Sequence, residues 1–182
     1  MSLAHLLDRP HHSEAPATVL RVGDHAPDIE LRLGAQRSRL YRWTDESWTV
    51  LFTLHDGDAL DGTAEMRRLA PLVPDFRSRF IKLLGIAARP LLELGEEPLP
   101  FPVSLDNDGE ITRRYGLAAS ARNIAVIDPE HRVRLQLGYP PRRERDFADV
   151  LRLITALQQA DARERAGRSD WRALQATTFG AW

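Results

Sequence analysis

Two apolar runs dominate the pattern along the chain. "WTVLFTL", residues 48–54, and "FIKLLGIAA", from residue 80, are short and β-branched, and each predicts a strand covered on both faces. Between them Leu60, Met66, Leu69, Val73, Phe76 and Phe80 recur at about helical spacing, which predicts a helix over 59–79 that Pro71 and Pro74 bend or interrupt. Upstream, "RVGDHAPDIEL" reads as a loop leading into a short strand, and "SRLYRWTDES" as a strand end and a turn. Downstream, "RPLLELGEEPLPF" reads as a loop with room for a short helix. "PVSLDNDGEITRRYGL" gives a strand end, a turn at Asn107–Gly109 and a helix through Tyr115. "ARNIAVIDPEHRVRLQLGY" reads as a hairpin about a turn at Asp128–His131. Apolar residues at 147, 150, 151, 154 and 157 predict a long amphipathic helix that Gly167 is expected to end. The remaining tail, "SDWRALQATTFGAW", carries two Trp and a Phe and is expected to pack on its own domain or a partner.

Alternating strands and helices with a late hairpin predict an α/β protein, a central mixed β-sheet flanked by helices. The division expected is an N-terminal extension at 1–20, one domain at 21–160 and a tail at 161–182.

Composition narrows the function classes. The 182 residues are 43% hydrophobic and 28% charged, ordinary for a globular chain. A net charge of −1 gives no global attraction to nucleic acid or a membrane surface, and neither is expected as a partner. No stretch approaches the roughly 18 apolar residues of a membrane span. "MSLAHLLDRPHHSEAP" lacks the pattern of a secretion signal, so the expected location is cytoplasmic. Zero cysteine excludes disulfides, thiolate metal sites and a thiol nucleophile of the chain's own.

Several stretches, taken in order, resemble the peroxiredoxin family (AhpC/TSA type), specifically its one-cysteine branch. They are "VGDHAPDIEL", "WTVLFTLHDGDALDGTAEM", "LPFPVSLDNDGEITRRYGL" and "ARNIAVIDPEHRVRLQLGYP" with "RRERDFADVLRLITALQ", spanning about Arg21 to Gln159. The resemblance implies a thioredoxin-like (peroxiredoxin) fold. It also implies a peroxidatic site built from a Pro, a Thr and a Cys in the strand–loop–helix, with an Arg from the hairpin. Carried across residue by residue, the Pro position is His55, the Thr position Ala59 and the Cys position Gly62, while the Arg is kept as Arg122. Glycine can neither attack a peroxide nor become a sulfenic acid, so no thiol-peroxidase turnover is expected.

The stretch "HDGDALDGT" then holds the candidate chemistry. His55 is a candidate general base. Ala59, Gly62 and Thr63 would line the vacated pocket at a helix start, a place suited to anions. A buried Arg122 without an anion would be costly, so Asp58 or Asp61 is expected to pair with it. His55 with Asp56, Asp58 and Asp61 could hold a divalent metal, against the simpler reading that Asp58 or Asp61 caps the helix. "DNDGE" reads as an Asx-type turn rather than a calcium loop, and "RRER" at 142–145 as a solvated face. Glu65 and Arg145 match family positions and read as structural, with a supporting salt bridge for Arg145. Trp43 and Trp48 read as core or interface. The resemblance implies a homodimer through the edge strand at 132–139.

Three functions remain open. The first is a repurposed enzyme, without cofactor or resident metal. It would act on a small organic or peroxidic substrate with His55, Asp58, Asp61 and Arg122 in its former active-site pocket. The second is a non-catalytic binding or regulatory protein. The third is a metal-dependent enzyme using His55 and the nearby aspartates.

Overall fold

A computed structural model of the chain describes residues 20–54, 65–89, 99–117, 122–141 and 143–179, with side chains described as far as 169. A hairpin of β1 (Glu30–Leu33) and β2 (Gln36–Arg39) leads to a short helix α1 (Leu40–Thr44) and then β3 (Trp48–Leu54). Helix α2 is described over 65–69 and runs into a 3-10 turn at Ala70–Leu72 and α3 (Val73–Ser78). There follow β4 (Ile81–Ala87), β5 (Val103–Leu105), α4 (Glu110–Arg114), β6 (Arg122–Ile127), β7 (Val133–Tyr139) and α5 (Phe147–Phe179).

Five strands form one sheet in the order β5-β4-β3-β6-β7. β3, β4 and β5 are parallel, and β6 and β7 are antiparallel to their neighbours, so the sheet is mixed as the sequence predicts. All seven residues of β3 are buried. Its alternate side chains divide between two cores: Val50, Phe52 and Leu54 pack with Phe76, Phe147 and Ile154 on one face, and Leu51 packs with Ile29, Leu40 and Tyr115 on the other. This is the α/β sandwich of a thioredoxin-like fold. Trp48 lies in the first core, and Trp43 packs half-buried against the second. Among the described residues no helix is long and apolar enough to cross a membrane.

A register shift between Val126 and Ile127 sets Arg134 on the α5 side of β7. There its Nη1 and Nη2 donate to Asp161 Oδ2 and Oδ1 at 2.7 and 2.9 Å, and its guanidinium lies over the Trp48 ring. That two-pronged bond pins α5 near its middle and holds the Asp161 carboxyl below its usual range.

Pro71 and Pro74 act as expected, each near the start of a new helical piece. Asp108 bears out the Asx reading of "DNDGE": its Oδ1 accepts from the Glu110 amide, two residues on, at 3.2 Å, while the Asp106 carboxylate accepts from the Ile111 and Thr112 amides at 2.9 and 3.0 Å and from the Thr112 hydroxyl at 2.6 Å. Two expectations are corrected. "SRLYRWTDES" is β2 followed by a helix rather than a turn, because the helix start is capped from far away: Asp28 Oδ1 accepts from the Tyr41 amide at 3.0 Å. Gly167 does not end α5, which continues to Phe179. A glycine within a helix costs only about 1 kcal/mol. Nothing crowds Gly167, and the helix on both sides of it is rich in good helix formers.

Gly85 in β4 is required by packing. A Cβ there would come 2.7 Å from Leu54 Cδ1 and 3.3 Å from Val103 Cγ2. Gly85→Ala is expected to cost about 1–3 kcal/mol through overpacking, read as a lower urea midpoint with an unchanged slope.

Candidate functional site

The ladder between β3 and β6 ends at the pair Phe52 and Ile124. Past that point the two strands separate around one side chain. Arg145 Nη1 donates to the Thr53 carbonyl at 2.7 Å and to the Asn123 carbonyl at 3.2 Å. The Thr53 hydroxyl accepts from the Asn123 amide at 2.9 Å, in place of a ladder bond. On its other side Arg145 forms a fork with Glu65 at the start of the described α2: Nε to Oε1 at 2.9 Å and Nη2 to Oε2 at 2.6 Å. The Arg145 amide also donates to Glu65 Oε1 at 2.9 Å, and the guanidinium lies over the rings of Phe52 and Phe147. One guanidinium thus joins the end of β3, the start of β6, α2 and the approach to α5. Both partners are buried, with side chains 2% and 3% exposed.

Arg122 opens β6 in this same place. Its side chain is 3% exposed, and Nη1 stands 3.8 Å from Glu65 Oε1. Burial disfavours the Glu65 charge, but the hydrogen bonds and charge of Arg145, helped by the charge of Arg122, outweigh it and hold the carboxyl below its usual range. The result is a buried, preorganised positive frame at the end of β3. Position 55 follows directly after that strand and α2 is described from 65.

Of the residues singled out from the sequence, Arg122 is placed here. His55, Asp58, Ala59, Asp61, Gly62 and Thr63, and with them the pairing of Asp58 or Asp61 to Arg122 and the metal reading, lie outside the described residues. Among the described residues the carboxylate beside Arg122 is that of Glu65, and no cluster of three or more His, Asp or Glu could hold a metal. The salt bridge expected of Arg145 is present. "RRER" is not one solvated face, because Arg145 is buried while Arg143 and Glu144 are exposed. Thr53 and Asn123 escaped the sequence reading, since their role comes from strand separation and leaves no local pattern.

Comparison with known proteins matches the AhpC/TSA family to residues 22–136. Peroxiredoxin-6 of Bos taurus is 27% identical over 179 residues, covering 84% of this chain and 80% of its own. The 1-Cys peroxiredoxin of Dictyostelium discoideum is 27% identical over 170 residues, covering 84% of this chain and 70% of its own. Among solved structures, a yeast mitochondrial 1-Cys peroxiredoxin studied for thiol resolution by glutathione and thioredoxin systems superposes with a TM-score of 0.69 at 25% identity, over 79% of each chain. Mycobacterium tuberculosis AhpC does so with a TM-score of 0.64 at 21% identity, over 77% of this chain and 94% of its own.

Proposed function

This chain belongs to the AhpC/TSA family, the peroxiredoxins, yet contains no cysteine, and from that premise we propose that its active-site pocket is a repurposed, non-thiol site for a small organic or peroxidic molecule. The observation that carries the reading is the buried frame of Arg122, Glu65 and Arg145 in a chain that has no thiol for it to serve. Arg145 is committed to Glu65 and to two strand carbonyls. Arg122 is the guanidinium assigned to the ligand's oxyanion, and His55, Asp58 and Asp61 are assigned to moving protons, with Ala59, Gly62 and Thr63 as lining. The retained frame supports this reading over a simple decay of the site.

Titration calorimetry with phenylacetate and with cumene hydroperoxide tests the reading. Saturable binding of at least one is expected. Arg122→Gln is expected to weaken it by about ten- to a hundredfold, since a hydrogen bond to a charged group is worth about 1.5–3 kcal/mol. A folded protein that neither binds nor consumes either compound would favour the non-catalytic reading.

A homodimer accompanies this proposal. β7 lies at one edge of the sheet, whereas the opposite edge strand, β5, has β1 beside it through the Arg32 amide and the Ser104 hydroxyl at 2.9 Å. An open edge is stabilised by pairing with a second copy; within 132–139 the chain's own segment already covers the start, with the Gly23 amide on the Val133 carbonyl at 2.7 Å and the Val133 amide on the Asp24 carbonyl at 2.9 Å, so we assign the pairing to residues 134–139.

A further inference from the structure

We infer that the cleft between α2 and the start of α5 is a second ligand site, for a small amine, protonated at neutral pH, with an aromatic or other compact apolar body. The cleft holds about 360 Å³, at the small end of ligand cavities. Leu69, Leu72, Phe147 and Ala148 give it apolar walls. Leu69 and Phe147 are buried, and the Phe147 ring stands edge-on to Phe52 in the core behind it. The wall is therefore fixed by packing before any ligand arrives. A ring laid against Phe147 would gain both burial and an aromatic contact.

The charged part of the lining decides what that apolar body must carry. Arg145 offers no charge to the cleft, because its guanidinium is engaged by Glu65 and by the Thr53 and Asn123 carbonyls. Arg68 and Glu144 cancel one another, Nη2 to Oε1 at 2.5 Å. Asp146 is left. Its Oδ1 caps α5, accepting from the Ala148 and Asp149 amides at 2.9 and 3.1 Å. Among the described residues no hydrogen bond or ion pair engages its Oδ2. Arg152, further along the helix, is paired with Asp149. The start of a helix ordinarily attracts an anion. Here Asp146 already fills that role, so a ligand carboxylate would meet a like charge and an ammonium its complement.

This preference is opposite in sign to the one assigned to Arg122. Neither Arg122 nor Glu65 lines the cleft. Arg145 is the residue the two places share: it forms part of the cleft wall and holds the carboxylate that stands beside Arg122. The amine site rests on the cleft's own lining and not on the reading of Arg122, so either can fail without the other.

Phenethylamine and phenylacetate share a benzyl body and carry opposite charges, which makes them a matched pair of probes. The full-length chain is titrated with each and followed by amide chemical shifts. Phenethylamine is expected to saturate with a Kd on the order of 1 mM, the scale for so small a ligand, and to move the amides of Leu69 and Ala148. Ala148→Leu narrows the cleft and is expected to weaken this binding at least about tenfold. Asp146→Asn keeps an acceptor for the cap of α5 and is expected to weaken it about two- to fivefold, the scale of an exposed ion pair. Arg68→Gln releases Glu144 and is expected to tighten it by about the same factor, a gain that misfolding cannot imitate. Arg122→Gln is expected to leave it unchanged. Four results would overturn the proposal. They are a folded native chain that phenethylamine does not saturate, a Kd indifferent to Ala148→Leu, equal affinity of both probes for the same amides, and binding lost on Arg122→Gln. The last would seat the amine at the Arg122 frame instead. Phenylacetate failing at Arg122 while the amine binds the cleft would count against the earlier reading alone.

Discussion

Arg145→Ala is expected to destabilise the protein by about 3–5 kcal/mol, the usual consequence of removing one partner from a buried ion pair. The Glu65 carboxylate would keep its buried position, lose its two-pronged partner and retain the backbone amide of residue 145 and the 3.8 Å approach of Arg122. The Thr53 and Asn123 carbonyls would lose their donor where β3 and β6 separate. Urea unfolding of native and variant proteins measures the difference. Replacing both Glu65 and Arg145 by leucine is expected to cost less than Arg145→Ala, because no buried charge of the pair is then left behind. A loss below about 1 kcal/mol, typical of an exposed pair, would show that the fork contributes little.

The same pair predicts the direction of the pH dependence. The folded-state pKa of Glu65 lies below its ordinary 4.5. Its contribution is therefore complete above that ordinary value and is lost as the pH falls through the lower, folded one. Asp28, Asp108 and Asp161 are lowered too and act in the same direction. The informative quantity is therefore the difference between native protein and Arg145→Ala. That difference is expected to be constant from neutral pH down to about 5 and to shrink below it.

The central sheet was legible because its strands are continuous apolar runs bounded by turn residues. "WTVLFTL" marks β3 residue for residue, and the hairpin breaks at its Asp128–His131 turn. Short helix α1 was not legible, since five residues are too few for a period and its cap comes from Asp28 in another segment. The end of α5 was misplaced because glycine stops a helix only where another conformation is stabilised, and nothing around Gly167 does that. The site divides in the same way. Arg122, Glu65 and Arg145 could be matched to family positions, but their meeting could not be read from spacing: Glu65 and Arg145 lie 80 residues apart. Thr53 and Asn123 look like ordinary strand residues until the ladder is seen to end beside them.

The central claim is that the chain keeps the frame of a peroxidatic site around Arg122 and lacks the thiol that the frame would serve. The direct measurement is to restore that thiol with Gly62→Cys, together with Ala59→Thr and His55→Pro, and to follow its reaction with hydrogen peroxide by stopped flow, trapping the sulfenic acid with dimedone. The native protein is expected to show no thiol-dependent turnover. The restored thiol is expected to ionise below a free cysteine and to react faster than one by a factor on the order of 10² or more, the scale of preorganised electrostatic stabilisation. Adding Arg122→Gln should abolish that gain. A folded variant whose thiol reacts no faster than free cysteine, with or without Arg122, would contradict the account.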